Sequence, residues 1–283
     1  MSLQTSPVNI RSLNSNALKI GSVPYLNEKP LTRWFSHTDE GRASGTEVVY
    51  AVPSQLARML EAGEIAAALV SSFECFRTPG YVLAPGVSIS GQGEIESVRA
   101  FAKVPWRKIE SLALDTSSLT SSALLKILLA EQLDSYPAFL HAAPGLNSML
   151  AQADACLLIG DKGMLASGEG LNVLDLGRAW RRLTGLPFVY AVWLGKPENM
   201  TPQLTDALAT AKAWGLTQID AIAAEEAVRI GTTVRQCRHY LTEIMDYNLD
   251  EEHQQALETF GAKAAAQQLF PGPPPPIRLA QPE

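Results

Sequence analysis

Histidine and cysteine, on which most metal sites and many nucleophilic sites are built, are scarce, with four and three in 283 residues. His37, His141, His239 and His253 fall in no metal-ligand or triad-like pattern, which excludes the common zinc and Ser-His-Asp arrangements. Cys75, Cys156 and Cys237 are odd in number and far apart, so they form neither a disulfide framework nor a zinc site, and a buried apolar role is expected of them. Charged residues are 18% of the chain, the formal net charge is −6 and nothing basic is clustered, which argues against a nucleic-acid surface. No Walker loop and no dinucleotide glycine fingerprint is present, and "GVSISGQGEIESV" has the composition of such a loop without its spacing or its following helix. Nothing approaches the roughly 20 apolar residues of a membrane helix, and "MSLQTSPVNIRSLNSNA" lacks the unbroken apolar core of a secretory signal. A cytoplasmic protein without membrane contact is the expectation. Internal repeats and heptads are absent as well.

What is present is a packed-core composition, 46% hydrophobic, in a chain long enough for two lobes of ordinary size. Leu18 to Val23, Glu47 to Ala51, Ala66 to Val70 and Ile89 read as strands, and "PSQLARMLEAGE" between the second and third reads as a helix. Such alternation predicts a mainly parallel sheet covered by helices. A second pass begins near Leu112 and runs through "DACLLIGD" and "LNVLDLG". The apolar "GLPFVYAVWLG", Gly185 to Gly195, carries the chain back to the first lobe. The expected division is lobe I from 18–105 plus 193–270, lobe II from 106–192, and mobile tails at 1–17 and 271–283. Residues from about Gln203 to Phe270 are rich in helix formers, whereas "FPGPPPPIRLAQPE" cannot continue a helix.

The polar residues gather in turns: "GSVPYLNEKPL", "VSSFE", "GEIESV", "DTSSLTSS" and "LIGDKG". All but one should lie at the carboxyl ends of strands, where open parallel sheets bind ligands. "DTSSLTSS", Asp115 to Ser122, holds an acid and six hydroxyls before the apolar positions Leu124, Leu125, Leu128 and Leu129 of a helix. One hydroxyl suffices for a helix cap. Six on a strand-to-helix turn, at the positive end of a helix dipole, suit an anionic oxygen-rich ligand, with a well-solvated cap as the alternative.

"GSVPYLNEKPL", "GEIESVRAFAKVP", "LALDTSSLTSSALLKILL", "DACLLIGD" and "DLGRAWRRLTGLPFVYAVW", in that order, with a fainter "YLTEIMDYNLDEEHQQALETF" after them, resemble the chorismate dehydratases of the futalosine route to menaquinone, over roughly residues 18 to 262. The resemblance implies a two-lobed fold like that of type II periplasmic binding proteins. It also implies dehydration of chorismate to 3-[(1-carboxyvinyl)oxy]benzoate, with no metal and no organic cofactor. A solute-binding protein for a small carboxylate shares that fold and is the alternative from another class, and dihydroxynaphthoate synthase is a related one. Oligomeric state is left open.

By the same resemblance Asn27 is a catalytic polar contact, and Tyr25, Ser97, Thr116, Ser117, Thr120, Ser121, Gly160 and Asp161 bind substrate. Each has a structural alternative: an Asx turn for Asn27, a strand-end hydrogen bond for Ser97, a helix cap for Asp161 and a core position for Tyr25. For Trp193 core is the expectation. Leu119 stands where the family often has Arg, and Lys29 or Lys162 would then supply the charge. The general base is either the substrate's own enolpyruvyl carboxylate or a buried Glu28 or Glu74 of raised pKa.

Overall fold

The computed structural model describes residues 17–115 and 119–281, with the side chain of Ser54 left aside. Strands β1 (Leu18–Ser22), β2 (Thr46–Tyr50), β3 (Ala67–Ser71) and β4 (Val82–Gly91) build one sheet with β10 (Phe188–Gly195), in the order β2-β1-β3-β10-β4. Strands β5 (Arg99–Ala102), β6 (Ser111–Asp115), β7 (Ala138–Ala142), β8 (Ala155–Leu158) and β9 (Asn172–Asp175) build the other, in the order β7-β6-β8-β5-β9. The two orders are the same pattern used twice. Ala67 to Val70 of β3 and Ala155 to Leu158 of β8 are buried along their whole length, as strands covered on both faces must be.

Both sheets are mainly parallel, as expected, with one reversed strand in each. β1 pairs parallel with β2 and β3, and β6 with β7 and β8, but β10 and β5 run antiparallel to both of their neighbours. The reason is the crossover. Each of these strands brings the chain in from the other lobe, so it starts beside the last residues of its neighbours: Arg99 opposite Leu158 and Asp175, Phe188 opposite Gly91. A strand entering at the carboxyl ends of a parallel set must run back against it.

The crossovers also fall earlier than the expected boundaries at 105 and 193. β5 is hydrogen-bonded within the second sheet, and β10 from Phe188 within the first. Strand-like sequence at 99–102 carries no sign of which sheet will receive it.

One hydrophobic core spans both lobes, and a smaller one around Phe101, Met149 and Cys156 backs the second sheet. Phe73, Phe76, Trp180, Phe188 and Phe260 meet at ring separations of 5.0 to 6.4 Å, and Trp180 donates its ring N–H to the carbonyl of Pro187 at 2.9 Å. The cluster joins helix Leu176–Thr184 and helix Glu251–Ala266 to the returning strand. The C-terminal helices form as the composition predicts, at Pro202–Thr217, Ile219–Ile230, Val234–His239 and Glu251–Ala266. None of the helices among the described residues is long and apolar enough to cross a membrane.

The segment after Phe270 is extended but tied down over Arg278 to Ala280, and in this it departs from the expected mobile tail. Leu83 donates its N–H to the carbonyl of Arg278 at 2.9 Å, and Ala280 donates to Leu83 at 2.8 Å. β4 is the last strand of its sheet, so its outer N–H and C=O groups need a partner. Four consecutive prolines, Pro273 to Pro276, keep the incoming chain extended enough to provide one.

Candidate active site

The carboxyl ends of β1, β3, β4 and β8 converge with both crossovers on one cleft. Tyr25, Asn27 and Ser71 face it from the first lobe, Ser97 and Tyr190 from the crossovers, and Thr120, Ser121 and Gly160 from the second lobe. Most residues expected at the site are thus brought together from four separate stretches of sequence. Thr116 and Ser117 lie outside the described residues. The cleft wall contains no charged side chain among the described residues. No group of three or more His, Cys, Asp or Glu side chains that could hold a metal gathers among them either.

Asn27 sits on the short turn Leu26–Glu28 directly after β1. Its Nδ2 donates to the hydroxyl of Tyr240 at 3.3 Å, which in turn donates to Ser97 Oγ at 2.7 Å. Its Oδ1 is buried without a partner. An Asx turn requires that oxygen to accept from the backbone two residues on, so Asn27 is not held by one. The amide is anchored at its nitrogen and leaves an acceptor open.

Ser97 is presented by a tight crossover. Its N–H donates to the carbonyl of Ile95 at 2.6 Å, and Glu96 between them has φ +58°, the left-handed region a side chain rarely adopts. Asp175 holds this turn by accepting the N–H groups of Ile95 and Glu96 while also capping helix Leu176–Thr184 through Arg178 N–H at 2.9 Å. Burial raises the Asp175 carboxyl above its usual pKa, and these N–H donors oppose the shift. On the far side Arg99 donates to the carbonyls of Gly163, Met164 and Ala166, closing the end of helix Gly160–Leu165.

Several expected contacts serve the lobes themselves. Thr120 Oγ1 accepts from Phe73 N–H at 3.2 Å, donates to the carbonyl of Tyr190 at 3.2 Å and touches Ser71 Oγ. Its capacity is spent on the first lobe and the returning strand. Asp161 accepts from Leu26 N–H at 3.1 Å and from Arg229 at 2.8 Å, so it ties helix Gly160–Leu165 to the first lobe. It does not act as that helix's cap, for which the structure uses Ile159 without a side-chain bond. Gly160 has φ +58°, and a Cβ there would meet the Tyr25 ring at 3.1 Å; Tyr25 is a wall laid across the two lobes. Ser121 is buried at the cleft. Trp193 is fully buried core, as expected.

Neither candidate glutamate lines the cleft. Burial pushes the Glu28 carboxyl up to about 7 against the pull of Lys29 at 2.7 Å, but it faces Ser22 and Thr32 behind the Asn27 turn. Glu74, also raised by burial, pairs with Arg77 at 3.0 Å. Lys29 is engaged with Glu28, and Lys162 donates to the carbonyl of Pro144; neither places its charge in the cleft.

Glu28 gives a pH test. Its carboxyl binds a proton more tightly folded than unfolded, so its contribution is greatest below about 4.5 and is lost as pH rises through about 7. His253 acts in the same sense: burial opposes its charge, but Asp246 and Asp250 outweigh burial and raise its pKa. Its share is present below about 6.5 and lost above the raised value. Stability should therefore fall from pH about 6 to about 8, with about 1 kcal/mol of the fall from Glu28. Glu28→Gln should remove that part of the slope in thermal melts, and an unchanged slope would show that Glu28 is already ionised at the lower pH.

Two α/β lobes, two crossovers and a cleft between them define a fold of the periplasmic-binding-protein type. A protein of Archaeoglobus fulgidus matches at TM-score 0.71 with 18% identity, covering 91% of this chain and 100% of its own. The periplasmic aliphatic sulphonate binding protein of Escherichia coli matches at 0.65 with 15% identity over 94% of each chain. At these identities the likeness is one of fold. Residues 18–266 match the sequence pattern of the menaquinone biosynthesis family, and the chain belongs to it. A chorismate dehydratase of Thermus thermophilus is 34% identical over 260 residues, 85% of this chain and 93% of that protein. One of Campylobacter jejuni is 29% identical over 174 residues, 60% of this chain and 64% of that relative.

Sequence reading passed over Tyr240, Asp175 and Arg99. Asp175 had a visible signal, as an acid opening the helical "LGRAWRRLT". Tyr240 only opens the fainter motif "YLTEIMDYNLDEEHQQALETF", and its partners, 213 and 143 residues away, left no local sign of a role.

Proposed function

We propose that this protein is a chorismate dehydratase, forming 3-[(1-carboxyvinyl)oxy]benzoate in the cytoplasm. The observation that carries the reading, beside family membership, is the neutral cleft in which Asn27 and Ser97 are joined through one buried phenol. Little chemical force is needed. The proton lost sits on the ring carbon bearing the enolpyruvyl ether, activated through a double bond by the ring carboxylate. As it leaves, the neighbouring carbon releases hydroxide, so one water departs and the ring becomes aromatic. The site must fix one conformation and steady the charge spreading into the ring carboxylate, which is a matter of orientation and preorganised dipoles.

Ser97 keeps a hydroxyl proton to donate, and Asn27 keeps one amide N–H and its open oxygen. Thr116 and Ser117, which precede helix Leu119–Leu128 in the sequence, would receive a carboxylate with the help of the helix dipole. Thr120 and Asp161 hold the lobes around the substrate, Ser121 and Gly160 complete the wall, and Tyr25 covers it. With Glu28 and Glu74 outside the cleft wall, the base is the substrate's enolpyruvyl carboxylate, oriented by Asn27. The chemistry uses no metal and no organic cofactor, and the small-molecule substrate is the only partner it requires.

Incubation with chorismate in EDTA, followed by mass analysis, should show loss of one water and an aromatic product. Chorismate recovered unchanged would mean binding without chemistry, and activity restored only by a divalent ion would overturn the cofactor-free mechanism.

A further inference from the structure

Tyr240 opens a single wide turn, Tyr240–Ile244, of the π type at the end of helix Val234–His239. Such turns insert a residue into a helix and re-aim its side chains, and they recur at functional sites. Here the phenol is driven into the interior, 2% exposed, between two side chains that reach the cleft from elsewhere. One is Asn27, on the turn after β1, and the other is Ser97, on the outgoing crossover.

The polarity of the chain matters. A tyrosine hydroxyl has one proton, and Ser97 Oγ at 2.7 Å takes it; the Asn27 amide at 3.3 Å must then be the donor. That sets the amide with its nitrogen anchored and its buried oxygen, which has no partner, left open. It also makes the Ser97 hydroxyl an acceptor from Tyr240, so its own proton is available to the cleft. One buried group therefore fixes which hydrogen-bonding face each of two neighbours offers. Burial keeps the phenol neutral by raising its pKa, with the Ser97 and Asn27 bonds opposing.

We propose that Tyr240 is a positioning residue for the dehydration, holding Asn27 and Ser97 in the one donor and acceptor arrangement that serves the substrate. The role rests on the chorismate reading and deepens it. Tyr240 does not touch the reacting atoms; it acts through its two neighbours, and this makes it testable by non-additivity.

Tyr240→Phe removes one oxygen from a packed ring. It should lower kcat by about a hundredfold, as loss of orientation does, while KM moves less than about threefold because the carboxylate contacts are elsewhere. Added to Ser97→Ala, the same change should cost clearly less than the hundredfold it costs alone, since one of the two groups it positions is already gone. A ring that merely fills space would give losses that multiply, alongside a lowered melting temperature. The undisturbed protein supplies a second measurement: the Asn27 side-chain amide, assigned by the loss of its signal in Asn27→Asp, should exchange slowly with solvent. Wild-type kcat in Tyr240→Phe, multiplicative losses, or a freely exchanging Asn27 amide would each overturn the role. Absence of turnover in the unmutated protein would instead sink the proposed activity, and the role with it.

Discussion

Asn27→Asp should leave the protein folded and almost inactive. The substitution keeps the size of the side chain but places a negative charge beside a dianionic substrate, where the structure has an open amide edge. At an effective dielectric of about 20 and a separation near 4 Å the repulsion is on the order of 4 kcal/mol, close to a thousandfold in kcat/KM. A second effect has the same sign. The aspartate can only accept from Tyr240, whose single proton is then withdrawn from Ser97. Fold is spared because the turn Leu26–Glu28 takes no side-chain cap from Asn27, and β1 ahead of it is held by both neighbouring strands. Turnover and thermal melting decide the matter. Near-wild-type turnover would remove Asn27 from the mechanism.

Gly163→Ala should destabilise the fold and the site together. A Cβ at this position would lie 2.2 Å from the carbonyl oxygen of Ser97 and 2.9 Å from that of Leu158. Both obstacles are backbone, and neither can swing aside as a side-chain tip would. Ser97 is fixed by its own bond to Ile95, and Arg99 clamps the Gly163 carbonyl. Overpacking of this kind costs about 1–3 kcal/mol and occasionally more, and the upper end applies here. The melting midpoint should drop by about 5–10 °C. kcat should fall beyond what unfolding explains, because displacing the Ser97 carbonyl displaces its hydroxyl. Gly93→Ala is the control. No atom lies within 4 Å of its added Cβ, so its effect should stay within about 0.5 kcal/mol. Equal melting temperatures for the two variants would show that the helix Gly160–Leu165 yields at little cost.

Legibility followed the range of the interaction. Strand and helix positions such as β1, β3 and helix Pro53–Ala62 were readable because periodicity and breakers are local properties. The ordered motifs pointed to the family and to Asn27, Ser97 and Gly160, all of which meet at the cleft. The second role of Thr120 and Asp161 was not readable. A hydroxyl or carboxylate at a strand end looks the same whether it waits for a ligand or reaches Phe73 or Arg229 in the other lobe. The one reversed strand of each sheet was not readable for a related reason: β5 and β10 have ordinary strand composition, and only the side from which the chain enters sets their polarity.

By itself the sequence determined the α/β class, the two lobes, the scarcity of metal ligands and the family, because these rest on composition, local periodicity and ordered motifs. Tertiary structure alone decided which face each polar group shows. Tyr240 meets Asn27 and Ser97 across 213 and 143 residues, Glu28 turns behind the cleft, and Gly163 presses on the carbonyl of Ser97 at a distance no other residue could occupy. Hydrogen bonds and steric contacts act over a few ångströms in space, whatever the separation along the chain. Roles that depend on them become definite only when the lobes are folded against each other.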